Sequence, residues 1–154
     1  MAEQQTEERR FGIQRLYTKD ISFELPSAPD IFRQEWQPDI GLDLHVKVNL
    51  LSAQQAEVII TVEVEAKQSD QTVFLIEVQQ AGIFSVTGFS QEELMPLLHI
   101  GAANTLFPYA REVVSNLVTH GSLPPLILQP VNFEALYQQR LAQDASEAET
   151  ADAT

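Results

Sequence analysis

The chain has no cysteine, which excludes disulfides and thiolate metal sites. Positive charge is scarce: nine Lys and Arg stand against 22 Asp and Glu, for a formal net charge of −13. Phosphate contacts need clustered Lys and Arg, so nucleic acid and anionic membrane are poor partners for this sequence. The acidity suits a basic partner, and it also keeps a sticky protein soluble. No run approaches the ~18 apolar residues of a membrane span. The opening MAEQQTEERR is polar and has no apolar h-region, so no signal peptide and no membrane insertion are expected, and the chain reads as cytoplasmic. Phosphate-loop patterns are missing, and no serine sits in a G-x-S-x-G setting. His45, His99 and His120 have no spacing that suggests a shared metal. His120 reads as a cation at a helix C-terminus and His45 as a solvent-facing strand residue. No catalytic residue, metal or cofactor is assigned.

What is present points to one domain of 154 residues. Its most informative stretch is QTVFLIEVQQAGIFSVTGF, from Gln71 to Phe89. Val73, Leu75, Glu77 and Gln79 fall on one face of this strand; Phe74, Ile76, Val78 and Gln80 fall on the other. A half-exposed strand alternates apolar with polar residues, whereas this one is apolar on both faces. It is built to be covered twice, and part of the cover is expected from another subunit or a bound chain.

Residues 1–10 are expected to be disordered. Phe11 to Leu25 reads as a long strand with Gly12 near its start and a mid-strand irregularity, stopped by Pro26 and Pro29. A proline-bracketed crossover carrying Phe32 and Trp36 follows. Strands near 40–50 and 58–65 alternate cleanly, and the links SAQQA and KQSDQ make hairpins. Ser90 with Glu93 gives a capping box for a short helix disturbed by Pro96. Leu106, Tyr109, Val113, Asn116 and Leu117 lie at helical spacing, with Gly121 at the C-terminal cap. Asn132 caps a final helix with Phe133, Leu136, Tyr137 and Leu141 as its apolar stripe. The acidic tail 144–154 should be disordered.

The fold class is α+β: a long four-stranded antiparallel sheet, then about three helices, in one domain spanning 11–143. Three helices can cover one sheet face but not both faces and the edges, so closed assembly as a dimer or dimer of dimers is expected.

The carboxylates Asp20, Glu24 and Glu77 lie beside Leu75 on strands that can be neighbours. They form either a solvated sheet face or an acidic docking surface for a basic partner. Phe32 and Trp36 either pack on their own sheet or, with Leu42, Leu44 and the last helix, floor a groove for another chain. A third reading makes Asp20, Glu24 and Glu77 acid–base groups of a small-molecule-binding or hydrolytic oligomer.

Four stretches carry a resemblance: RLYTKDISFE at 15–24, FLIEVQQAGIFSV at 74–86, LFPYARE at 106–112 and QPVNFEALYQQ at 129–139. In order and spacing they resemble the SecB family, tetrameric chaperones of bacterial protein export. The resemblance implies a holdase that needs no ATP and no cofactor. It would keep presecretory proteins unfolded and pass them to SecA, the motor of the translocon. Asp20, Glu24, Leu75 and Glu77 would dock the basic, zinc-bearing C-terminal region of SecA, the zinc belonging to that partner. Phe32, Trp36, Leu42, Leu44, Tyr137 and Leu141 would line the client groove. Phe74, Ile76, Val78 and Gln80 would lie where subunits assemble into the homotetramer. A relative serving a toxin–antitoxin system is the alternative.

Overall fold

Two tight turns and one long crossover set the order of the sheet. In the computed structural model, which describes residues 8–152, a two-residue turn joins β2 (Asp39–Ser52) to β3 (Gln55–Gln68). Ser69 and Asp70 join β3 to β4 (Gln71–Thr87) at φ 51° and 60°, the left-handed pair that a two-residue hairpin favours. β1 (Arg10–Glu24) lies on the far side of β4, giving the antiparallel order β1-β4-β3-β2. Residues 25–38, with a 3-10 turn at Asp30–Arg33, therefore carry the chain from one edge of the sheet to the other. The irregularity expected in β1 is present as two register shifts, at Ile13/Arg15 and Thr18/Asp20.

The helices follow the sheet, as the α+β reading expects. Ser90 and Glu93 form the capping box of α1 (Gln91–Pro96). Pro96 removes a backbone donor, and the chain continues as a π-helical turn, Leu97–Ala102, into α2 (Ala103–His120). The Asn132 side chain accepts from the Ala135 amide at 3.0 Å and caps α3 (Phe133–Asp152).

The core lies between α2 and one face of the sheet. Cross-strand pairs Val62↔Val78 and Val64↔Ile76 line that face, with Phe74, Ile60 and Val58 beside them. Against them α2 buries Ala103, Leu106, Phe107, Ala110, Val114 and Val118. This stripe is rotated from the expected one: Leu106 is in it, but Tyr109 is 49 % exposed and Asn116 faces water. The alanines decide the rotation, because small residues let the helix approach the sheet.

Phe74, Ile76, Val78 and Gln80, expected at an oligomer interface, are instead inside the subunit. Phe74 and Val78 have no exposed surface, and Ile76 and Gln80 have 3 %. Thr18 donates to the Gln80 side chain at 2.8 Å, satisfying the one polar member. Alternation separates two faces of a strand but does not say which one the helices cover.

Two boundaries also differ from expectation. Where the sequence suggests a disordered tail from Asp144, α3 runs on to Asp152. DASEAETAD contains neither Gly nor Pro and is rich in Ala and Glu, which favour helix. At the other end Arg10 opens β1, and Arg9 pairs with Glu93 at 2.7 Å while lying 5.9 Å from the Phe89 ring centre. The remainder of both expected termini, 1–7 and 153–154, lies outside the described residues. Gly121 does end α2, but at φ −77°. β1 leaves no room for a side chain at this position, since a Cβ there would come 2.8 Å from the Phe23 ring.

Candidate docking face and chain-binding cleft

The opposite face of the sheet is open, and strand register lays out its side chains in rows. One row reads Glu24–Leu75–Glu65–Gly41, and the next reads Ser22–Glu77–Glu63–Asp43. Asp20 begins a third, opposite Gln79. Asp20, Glu24, Leu75 and Glu77 thus share one face. Register adds Glu63, Glu65 and Asp43, which sequence reasoning did not single out. The alternation of Glu63 and Glu65 with Val62 and Val64 was legible; their position directly across from Glu77 and Leu75 was not.

The result is a shallow depression of about 570 Å³ with Leu75 in it, 39 % exposed and surrounded by carboxylates. Like charges directly opposite on adjacent strands repel. Here Asp43, Glu63 and Glu77 stand in line on three strands. Among the described residues no ion pair reaches Asp20, Glu24, Glu63 or Glu77. The nearest cation in sequence, Lys19, is bound 3.1 Å from Glu57 instead. Asp43, His45 and Glu63 bring donor atoms within 4.8 Å of one another, close enough for one divalent cation. All three are open to water and belong to the rim of the same face, and no ion is assigned to them.

The other end of this face is closed by a clamp. Glu57 of β3 accepts from Tyr17 and Lys19 of β1 and from Asn49 of β2. Burial, then the bond to Glu57, pushes the Tyr17 hydroxyl up to about 12. The Tyr17 bond, with Asn49 and Lys19, outweighs burial and holds the Glu57 carboxyl below its ordinary range. At the acidic end Asp20, Glu24, Glu63 and Glu77 thus stay outside the ion pairs of the described residues, Glu65 meeting only Lys67 at 3.7 Å and Asp43 only His45 at 3.1 Å, while the clamped end is internally satisfied.

A second feature lies along the free edge of β2. A cleft of about 640 Å³ separates that edge from α3 and is lined by Leu44, Val46, His99, Phe133, Leu136, Tyr137 and Arg140, among others. Arg140 donates to the Val46 carbonyl, capping part of the edge. Tyr137 stacks on His99, with centroids 4.9 Å apart and planes 22° apart. Of the expected groove residues, Leu44 and Tyr137 meet in this cleft. Leu42 and Leu141 are each 44 % exposed, two residues along β2 and one turn along α3 respectively. Phe32, 49 % exposed, sits on the crossover turn, and Trp36 packs half-buried against the core. The crossover aromatics do not line the cleft.

An acidic sheet face around Leu75 and a cleft of mixed polar and apolar lining beside the free β2 edge are surfaces of the kind that take up other polypeptide chains. Among the described residues no helix is long and apolar enough to cross a membrane. The chain belongs to the SecB family: the family model for preprotein translocase subunit SecB matches residues 4–144. It is 46 % identical over 142 residues to the protein-export protein SecB of Hydrogenovibrio crunogenus, covering 92 % of this chain and 95 % of that one. It is 44 % identical over 149 residues to the protein-export protein SecB of Methylococcus capsulatus, covering 97 % and 96 %. The fold is that of a Mycobacterium tuberculosis SecB-like chaperone solved with a ChAD peptide of the HigA1 antitoxin. That match has TM-score 0.68 and 23 % identity over 79 % of this chain and 91 % of the other.

Proposed function

We propose that this SecB-family protein is a holdase for protein export. It keeps presecretory proteins unfolded in the cytoplasm and hands them to SecA, without ATP and without a cofactor, as a homotetramer arranged as a dimer of dimers. The observation that carries the reading is the juxtaposition of Leu75 with carboxylates on all four strands, of which Asp20, Glu24, Glu63 and Glu77 lie outside the ion pairs of the described residues. Such a face suits the basic, zinc-bearing C-terminal region of SecA. Its charge speeds encounter, and burial of Leu75 adds an apolar anchor.

Clients are held by weak, repeated contact. Apolar client surface gains roughly 25 cal/mol per Å² buried, much of it offset by the ordering of the chain. Engagement of several grooves by one long chain raises effective concentration, so avidity exceeds a single contact by ~10²–10⁴. A folded protein exposes no such segments. The groove in this reading runs from the α3 cleft, through Leu44 and Tyr137, to exposed Leu42 and Leu141 and on to Phe32 and Trp36.

Leu42→Arg places a charge on the exposed apolar rim and is expected to weaken binding of an unfolded client at least about tenfold, or about 1.4 kcal/mol. Trp36→Ala is expected to act in the same direction. The check is fluorescence anisotropy with a labelled unfolded precursor, alongside light scattering to verify that assembly is unchanged. Wild-type affinity in both variants would remove these residues from the groove.

A further inference from the structure

Export leaves one buried titratable side chain without a role. His99 is 8 % exposed and lies on the π-helical turn between α1 and α2. Single π turns inside helices are frequent at functional sites. The His99 ring lies under α3, stacked on Tyr137. Three residues further along α3, Arg140 reaches over to the Val46 carbonyl on the unpaired edge of β2. The helix that walls the cleft is thus held down by a ring stack and an arginine on one of its faces.

We propose that His99 is the pin of a pH-sensitive latch: when its imidazole takes up a proton, α3 loosens from β2 and the cleft widens. This rests on the reading of the cleft as a client groove. An imidazolium at this position would be buried near the Arg140 guanidinium, and Arg140 is the group holding the helix to the strand. The other charged or titratable side chains lining the cleft are Asp144 on α3 and Asp43, His45 and Lys47 on β2. Asp43 is already engaged, by His45 at 3.1 Å and by the Leu44 amide at 3.0 Å. Among the described residues no ion pair joins a carboxylate to His99 to stabilise its charge.

Burial, then the Arg140 charge, holds the His99 imidazole below its ordinary range. The sign follows from linkage. The unfolded chain, with an ordinary value of about 6.5, binds the proton more readily than the closed fold. The latch therefore contributes fully above that value and is lost as pH falls through the lower folded value.

Hydrogen exchange on the full-length protein tests this. Exchange in segments covering β2 and residues 133–144, corrected for the intrinsic pH effect, should rise at least about threefold between about pH 7.5 and about pH 5.5. His99→Phe keeps a ring for the stack but takes no proton, and should abolish the rise. His45→Gln should leave it intact. The same rise in His99→Phe as in wild type would overturn the latch. An NMR titration of the unaltered protein is independent of any variant's folding: Tyr137 must shift with the same midpoint as His99, and a His99 titration that leaves Tyr137 unmoved would also overturn it. A client arm uses a reduced, alkylated, permanently unfolded protein, which wild type should bind more tightly at the lower pH and His99→Phe should not. Exchange needs no client. Failure to capture any unfolded chain would count against the holdase reading alone, while the exchange result decides the latch.

Discussion

Glu24→Lys combined with Glu77→Lys is expected to weaken SecA docking about a hundredfold, or about 2.7 kcal/mol. Register puts Glu24 beside Leu75 and Glu77 between Ser22 and Glu63, so the two reversals turn the depression around Leu75 from acidic to mixed charge. A basic partner then loses attraction and meets like charge over its one apolar anchor. Much of the loss should lie in the association rate, and the wild-type rate should fall steeply with salt while the variant's changes little. Neither side chain is in the core cluster, so folding and client binding should be unchanged. Surface plasmon resonance with the C-terminal segment of SecA, at low and high salt, reads both effects. Equal affinity and salt dependence in wild type and variant would return this face to a solvated surface.

Phe74→Ala should cost about 3–5 kcal/mol of subunit stability, the usual range for deleting a buried phenylalanine ring. Phe74 has no exposed surface and lies in the cluster that α2 covers. The loss should show in denaturant unfolding as a lower midpoint, displaced equally across protein concentrations, because the cavity forms within one subunit. Leu75→Ala, the next residue on the opposite face, should cost less than about 1 kcal/mol. Should Phe74→Ala instead leave subunit stability intact and weaken only assembly, the residue belongs to an interface and not to this core.

This pair of neighbours also shows where sequence reasoning stops. Alternation in 71–89 separates Phe74, Ile76 and Val78 from Leu75 and Glu77 correctly, because a strand's side-chain period is two. It does not choose which set the helices cover, and the assembly assignment went to the set they bury. The four strands, their two hairpins, the capping box at Ser90 and the Asn132 cap were legible, since each depends on residues a few positions apart. The place of β1 beside β4, which the reading of Asp20, Glu24 and Glu77 on neighbouring strands allowed, depends on a crossover running from edge to edge, whereas the contribution of Glu63, Glu65 and Asp43 to the acidic face depends on the exact register of the two hairpins. The α3 cleft was half legible. Leu44 and Tyr137 were named, whereas His99 and Arg140 are polar residues whose meeting at the β2 edge follows from packing between distant segments. The run of α3 to Asp152 is compatible with the Ala and Glu content of the tail, which a reading from net charge alone passes over.

Client discrimination is the most direct test of the holdase function. A slow-folding precursor is diluted from denaturant into this protein, complex formation is read by size-exclusion light scattering, and the same precursor prefolded serves as control. A holdase of this kind captures the unfolded form alone, in a particle containing four copies of this chain. Capture of neither form, or of both equally, would contradict it.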